Sequence, residues 1–201
     1  MALSPAPMAP RFRSGAGRLC LDFMRTLRLR GMEGATEELP TPEALAAWVA
    51  QLGPYPAGVA VPVPTQDVLR QARQLREAVY ALLVAARGDS GPGGCPPGDR
   101  ALLNQAAAVA PPVPVLDEGG LVTYTAADPV RAVLSDVARD ALDLVTSAML
   151  ARVRACAGPR CAAWFLDTSR PGNRRWCSMD TCGNQSKKST WRTKHGSPDV
   201  N

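Results

Sequence analysis

The chain holds a single histidine, His195, and no lysine before position 187. One histidine close to the C-terminal end leaves the body without the imidazole that Ser–His and Cys–His nucleophiles require. Aromatic residues make up only 5%. A core must therefore come from Leu, Val and Ala, residues that favour helix over sheet. No uninterrupted apolar run reaches the length of a membrane-spanning helix. The first ten residues lack the basic start and apolar stretch of a secretory signal. The expectation is a cytoplasmic protein with no membrane contact.

Catalytic signatures are thin as well. Ser14-Gly-Ala-Gly17 is short and lacks the Lys-Ser/Thr of a phosphate loop. Glu37-Glu38 and Asp117-Glu118 read as solvated loop carboxylates. No enzymatic activity is expected.

The missing lysines sharpen the charge layout. Residues 1–150 carry 13 Arg against 15 Asp and Glu, a net of −2. Residues 151–201 carry 10 Lys and Arg against 3 acids, a net of +7, and include all three lysines. A basic block beside a near-neutral domain is the layout of a nucleic-acid contact, and equally of a solvated face.

Four of the six cysteines lie in that block. Cys156 and Cys161 form one pair, Cys177 and Cys182 another. Each pair has four residues between its members, and 15 separate the pairs. Two such hooks can close on one tetrahedral Zn²⁺. In a reducing compartment the spacing favours zinc over two disulfides, four unrelated thiols or an iron–sulfur cluster. Four thiolates leave no open coordination position, so the ion would be structural. Residues 153–195 are too few for a core of their own, and the metal would supply folding free energy. Gly158-Pro159 suits a tight turn in the first hook, and Gly172-Asn173 could turn a hairpin between the hooks. Trp164, Phe165, Leu166 and Trp176 offer an apolar cover. Arg160, Arg174 and Arg175 could offset the −2 charge of a zinc tetrathiolate. Cys20 reads as core and Cys95 as an incidental loop residue.

Apolar periodicity organises the remainder. Leu19, Phe23 and Leu27 mark a first helix face, followed by loop from Gly31 to Pro40. Thr41-Pro42 caps a second helix that Gly53-Pro54 stops. A third runs from Gln66 to Arg87. Residues 88–98 form a Gly/Pro loop without a packing role, and Asp99 caps a short helix to about Ala110. Val113 to Tyr124 suggests a β-hairpin about Asp117-Glu118-Gly119-Gly120. Asp128-Pro129 opens what reads as the longest helix, to about Ala155, a surface through which two chains could pair as a homodimer. Ser178 caps a last helix to about Lys194. One stripe of it is Lys187, Trp191 and Lys194, the other Asn184, Lys188, Arg192 and His195.

The fold expected is mainly α (α+β). Residues 1–13 form a disordered N-terminus, and 14–152 a helical domain with one β-hairpin. Residues 153–195 form a small zinc-finger module, treble-clef-like or zinc-ribbon-like, and 196–201 a disordered tail.

The run from Cys156 through Cys161-Ala-Ala-Trp-Phe-Leu-Asp-Thr-Ser-Arg170, then Arg174-Arg-Trp-Cys-Ser-Met179 and Cys182-Gly-Asn184, resembles the CGNR zinc finger. Gly17-Arg-Leu-Cys-Leu-Asp-Phe23 with Thr26-Leu27 is similar to the start of the ABATE domain, which commonly precedes that finger. The resemblance implies a stress-induced bacterial transcription regulator with a helical N-terminal domain and a zinc-bound DNA-binding module. The chain departs from the pattern at Gln185, where the family has Arg, and in the diluted run Ser186-Lys-Lys-Ser-Thr-Trp-Arg192. Fewer cations neutralise fewer phosphates.

On duplex DNA, Arg174, Arg175, Lys187, Lys188, Arg192 and Lys194 would hold phosphates, while Asn184 and Gln185 could read a base edge. The alternative is a zinc-stabilised protein-interaction or small-ligand-sensing module without direct DNA binding, with Trp191 anchoring a partner. A small-molecule effector could lodge between the N-terminal helices.

Overall fold

The computed structural model describes residues 12–188. Side-chain oxygens set the helix starts. Thr41 Oγ1 accepts from the Ala44 N–H at 3.3 Å and Pro42 takes the first helical position, opening α2 (Pro42–Leu52). Thr65 opens α3 (Gln66–Arg87) through the Val68 N–H, and Asp128 opens α5 (Pro129–Thr146) through the Arg131 N–H at 3.0 Å. The helical body also holds α1 (Leu19–Met24) and α4 (Pro97–Ala108).

Helices α3 and α5 pack against each other and are both touched by α1, α2 and α4. Their shared interior is aliphatic around one aromatic pair, Phe23 edge-on to Trp48 at 4.9 Å. The apolar stripe of α5 is spent on this interior: Val130, Val133, Val137, Ala141 and Leu144 are all buried. Among the described residues no helix is long and apolar enough to cross a membrane.

Three antiparallel strand pairs complete the described structure: β1 (Leu27–Arg28) with β2 (Thr36–Glu37), β3 (Val113–Leu116) with β4 (Val122–Thr125), and β5 (Val153–Ala155) with β6 (Trp164–Leu166). The β3–β4 pair is the expected hairpin. Asp117 Oδ1 accepts from the Leu121 N–H at 2.8 Å across its turn, and Leu116 and Leu121 stand exposed beside it.

Several expectations are corrected. The first helix stops at Met24, because Thr26 turns its hydroxyl back onto the Phe23 carbonyl at 2.7 Å and Leu27 enters β1. Glu37 is not a solvated loop acid. Arg76, 3% exposed on α3, grips both its oxygens at 2.8 and 2.6 Å and also reaches Thr26 Oγ1 at 3.0 Å. Cys95 is 2% exposed, a core residue carried in by the turn Pro92–Gly94. Pro96, not Asp99, stands at the N-cap of α4.

The longest helix is α3, because α5 ends at Thr146. There Ser147 goes extended and its hydroxyl starts a separate turn, Ala148–Arg152, which feeds β5. Phe12, inside the segment expected to be disordered, is buried, with its N–H and C=O bonded to the Gln51 amide at 2.9 and 2.8 Å. Residues 1–11 and 189–201 lie outside the described residues, and with them Trp191, Arg192, Lys194 and His195.

Burial pushes the Glu37 carboxyl up, but the hydrogen bonds from Arg76 and the Leu39 N–H, with the charges of Arg76 and Arg73, together outweigh it and hold the group below the ordinary glutamate range. Breaking such a pair strands the partner. Arg76→Ala should lower the unfolding free energy by about 3 kcal/mol in urea denaturation at neutral pH. The deficit should be full above pH about 4.3, the unfolded glutamate value, and shrink as pH falls further and Glu37 takes a proton.

Candidate metal centre

The four sulfurs converge from three elements. Cys156 follows β5 directly, and its N–H pairs with the Ala163 carbonyl at 2.9 Å, so the β5–β6 hairpin closes the first hook. Within that hook the Cys161 N–H bonds the Gly158 carbonyl at 3.2 Å, and the Gly158 N–H points at Cys156 Sγ at 3.5 Å. The second hook opens a helix. Ser178 Oγ accepts from the Thr181 N–H at 3.4 Å, and a wide turn over Met179–Gly183 carries Cys182 inward before residues 184–188 continue as helix. A second pair at a helix start is the treble-clef-like arrangement of the two expected. A Cβ at Gly183 would lie 2.9 Å from Met179 Sδ, so the exposed methionine side chain would have to move aside for any larger residue. The hairpin lies at β5–β6, whereas Gly172, expected to turn one, closes a tight turn on Ser169 at 3.2 Å.

All four Sγ atoms lie within 4.8 Å of one another, with Cys161–Cys177 and Cys177–Cys182 both at 3.7 Å. A disulfide would need about 2.0 Å. A tetrahedron with zinc–sulfur bonds of about 2.3 Å has edges of about 3.8 Å. The sulfurs therefore fit a tetrahedral ion, and all are free cysteines. The hydrogen bond from Cys177 pulls the Cys161 thiol down to about 4, and donating that bond, together with burial, pushes Cys177 up. Cys156, Cys161, Cys177 and Cys182 would hold a divalent ion as thiolates, and the chemistry it would supply is cross-linking.

Asp167 is the residue that sequence reasoning passed over. It is fully buried and accepts from Ser169 Oγ at 2.6 Å, the Ser169 N–H at 3.0 Å and the Arg174 N–H at 2.8 Å, with Arg154 Nε 3.5 Å away. The Ser169 hydroxyl leads these donors in holding its carboxyl down, to about 2. The side chain thus ties β6 to the loop that returns to Cys177. The legible signal was Asp-x-Ser, whose carboxylate bonds its own backbone two residues on.

The expected cations separate into two groups. Arg174 turns inward: Nε donates to the Trp176 carbonyl at 2.8 Å, Nη2 to the Cys177 carbonyl, and the guanidinium covers the Phe165 ring at 4.9 Å. Arg175 is exposed and stacks over Trp176 at 5.2 Å. Asn184 and Gln185 are exposed, the former bonding the Asp180 carbonyl at 3.2 Å, and Lys187 and Lys188 are exposed. Two backbone amides, of Gly158 and Cys177, point at Cys156 Sγ and would spread its charge when it ligates an ion.

The module does not stand apart. The Leu166 N–H bonds the Ala16 carbonyl at 2.7 Å, and Gly17, at φ +90°, brings its backbone so close that a Cβ would sit 3.0 Å from Leu166 Cβ. Phe165, Leu166, Cys156, Cys177 and Cys182 belong to the same buried cluster as Phe23 and Leu144.

The comparisons agree with this geometry. The ABATE family, described as "Putative stress-induced transcription regulator", matches residues 17–148, and the CGNR zinc finger matches residues 152–195. The chain belongs to the ABATE family and carries a structural zinc site at Cys156, Cys161, Cys177 and Cys182. No curated protein matches it.

Cys161→Ser should drop the zinc content from one per chain toward zero in elemental analysis. Because the hooks share the helical core, it should also lower the thermal midpoint of the whole chain followed by far-ultraviolet circular dichroism. A zinc-free variant that melts like the parent would contradict this.

Proposed function

We propose that the chain is a DNA-binding transcription regulator of bacteria whose zinc holds a basic helix against duplex phosphates. The observation that carries the reading is the exposed group Arg175, Gln185, Lys187 and Lys188, three of them on the helix that begins at the second hook. The +7 charge of residues 151–201 supports it. Arg192 and Lys194 extend the basic run in sequence, and Asn184 and Gln185 are the amides available to a base edge. Arg174 positions the returning loop; its guanidinium is taken by carbonyls of the finger. A tetrathiolate ion has no vacancy for substrate, so the role is architectural and no enzymatic step is assigned.

Fluorescence anisotropy on duplex DNA at several salt concentrations tests the reading. Affinity should fall as salt rises, and Lys187→Ala with Lys188→Ala should reduce the log–log salt slope by about 2, with little change between DNA sequences. Arg174→Ala should instead lower the thermal midpoint. Absence of binding even at low salt overturns the proposal.

A further inference from the structure

The β3–β4 hairpin is apolar on both faces. Its register pairs Val113 with Thr125, Pro114 with Tyr124, Val115 with Thr123 and Leu116 with Val122. Alternation therefore puts Val113, Val115, Thr123 and Thr125 on one face, and Leu116, Val122 and Tyr124 on the other. Half of the large hydrophobic side chains exposed among the described residues are here: Val113, Val115, Leu116, Leu121 and Val122. From Val113 to Ala127 the only charges are Asp117 and Glu118, at the turn. A two-stranded hairpin alone is marginal in water, and a further strand on its edge stabilises it.

The two edges of the hairpin are not alike. The Asp117 N–H donates to the Leu121 carbonyl at 2.9 Å, so residues 117, 115 and 113 bond inward to 121, 123 and 125. The residues between them turn their main-chain groups outward. On β3 these include Pro114, with Pro112 two positions before it, and neither has an N–H to offer. That edge is blunted. On β4 they are Val122 and Tyr124, whose N–H and C=O groups meet no partner strand on that side among the described residues.

We propose that a second copy of this chain covers the β4 edge. The two β4 strands pair antiparallel about a twofold axis through Thr123 and make one four-stranded sheet. The strand's own sequence selects this occupant. Val122 meets the partner's Tyr124 and Thr123 meets its twin, a β-branched–aromatic pair and a Thr–Thr pair, both favourable across strands. The outward groups of Val122 and Tyr124 form about four main-chain hydrogen bonds. Leu121, 68% exposed, comes opposite the partner's Thr125. Thr125 lines a mainly apolar groove at the base of the hairpin with Val109, Ala110, Pro111, Val113 and Ala126. Each tip leucine is thus set on the groove of the other copy. The acidic turns fall at opposite ends of the sheet, so like charges do not meet. The contact is isologous and closed. One strand pair and the tip leucines bury less than the ~800 Å² per partner of a standard interface, so the dimer is weak, forming at roughly tens of micromolar. Helix α5 is not the contact, because its apolar stripe is buried. The inference does not depend on DNA binding.

The test is sedimentation equilibrium of the zinc-loaded full chain, without DNA, from about 1 to about 300 μM. The average mass should climb from 21.3 kDa toward twice that value. Val122→Pro repeats on β4 the blunting that Pro114 gives β3, removing an outward N–H while the ladder bonds stay. Leu121→Lys puts a charge on the partner's groove from an exposed turn position, where it leaves the fold intact. Each should weaken association at least about tenfold with the thermal midpoint unchanged. Val59→Lys, exposed in the loop after α2, should leave association as it was. A chain that stays monomeric at the highest concentration overturns the proposal. So does a dimer that survives both hairpin variants, which places the contact elsewhere. A dimer lost in Leu121→Lys but kept in Val122→Pro also refutes it, because that contact does not run through the β4 edge.

Discussion

Strand β6 is only three residues long, yet it is used on every side. One edge pairs with β5 and closes the first cysteine hook; Leu166, on the same strand, gives its N–H to the Ala16 carbonyl of the helical body. Its side chains Phe165 and Leu166 enter the common core. Asp167, just beyond, fixes the loop that brings back the second hook. A metal site in a small module usually substitutes for a missing core. Here the sulfurs are fastened to an existing one, so zinc and apolar burial stabilise the same body.

That arrangement explains the N-terminal motif as a joint. Gly17 permits the close approach to Leu166. Arg18 reaches Asp140 Oδ1 at 2.7 Å and Asp143 Oδ2 at 2.5 Å on α5, and the Cys20 N–H reaches Asp140 Oδ2 at 2.8 Å. Asp22 folds back onto the N–H groups of Gly15 and Ala16, presenting the Ala16 carbonyl to β6. Arg18 and Asp22 thus hold one short helix against α5 and the finger, while Thr26 ends that helix and accepts from Arg76 of α3.

What could be read from sequence was what local chemistry decides. Thr41 announced α2 by its cap, and apolar period alone bounded α3, which ends where its stripe ends. The cysteine hooks were legible because metal geometry restricts spacing. What escaped was decided at long range. Nothing near Thr146 marks a helix end except Ser147, whose hydroxyl caps the next turn, and residues 153–155 leave the helix because a partner strand waits at 164–166. Glu37 looked solvated because Arg76 lies 39 positions away. Arg174 and Arg175 are adjacent and chemically identical, yet one turns inward to carbonyls and the other stacks outside, a distinction that only the packed loop creates.

Arginine does all the cationic structural work in the body, as forked partners of Glu37, Asp140 and main-chain carbonyls, and primary amines on side chains are confined to positions 187, 188 and 194. Any acylating reagent that seeks such amines therefore finds them in one segment alone. It can neutralise the three lysines there while every guanidinium that supports the fold stays as it was.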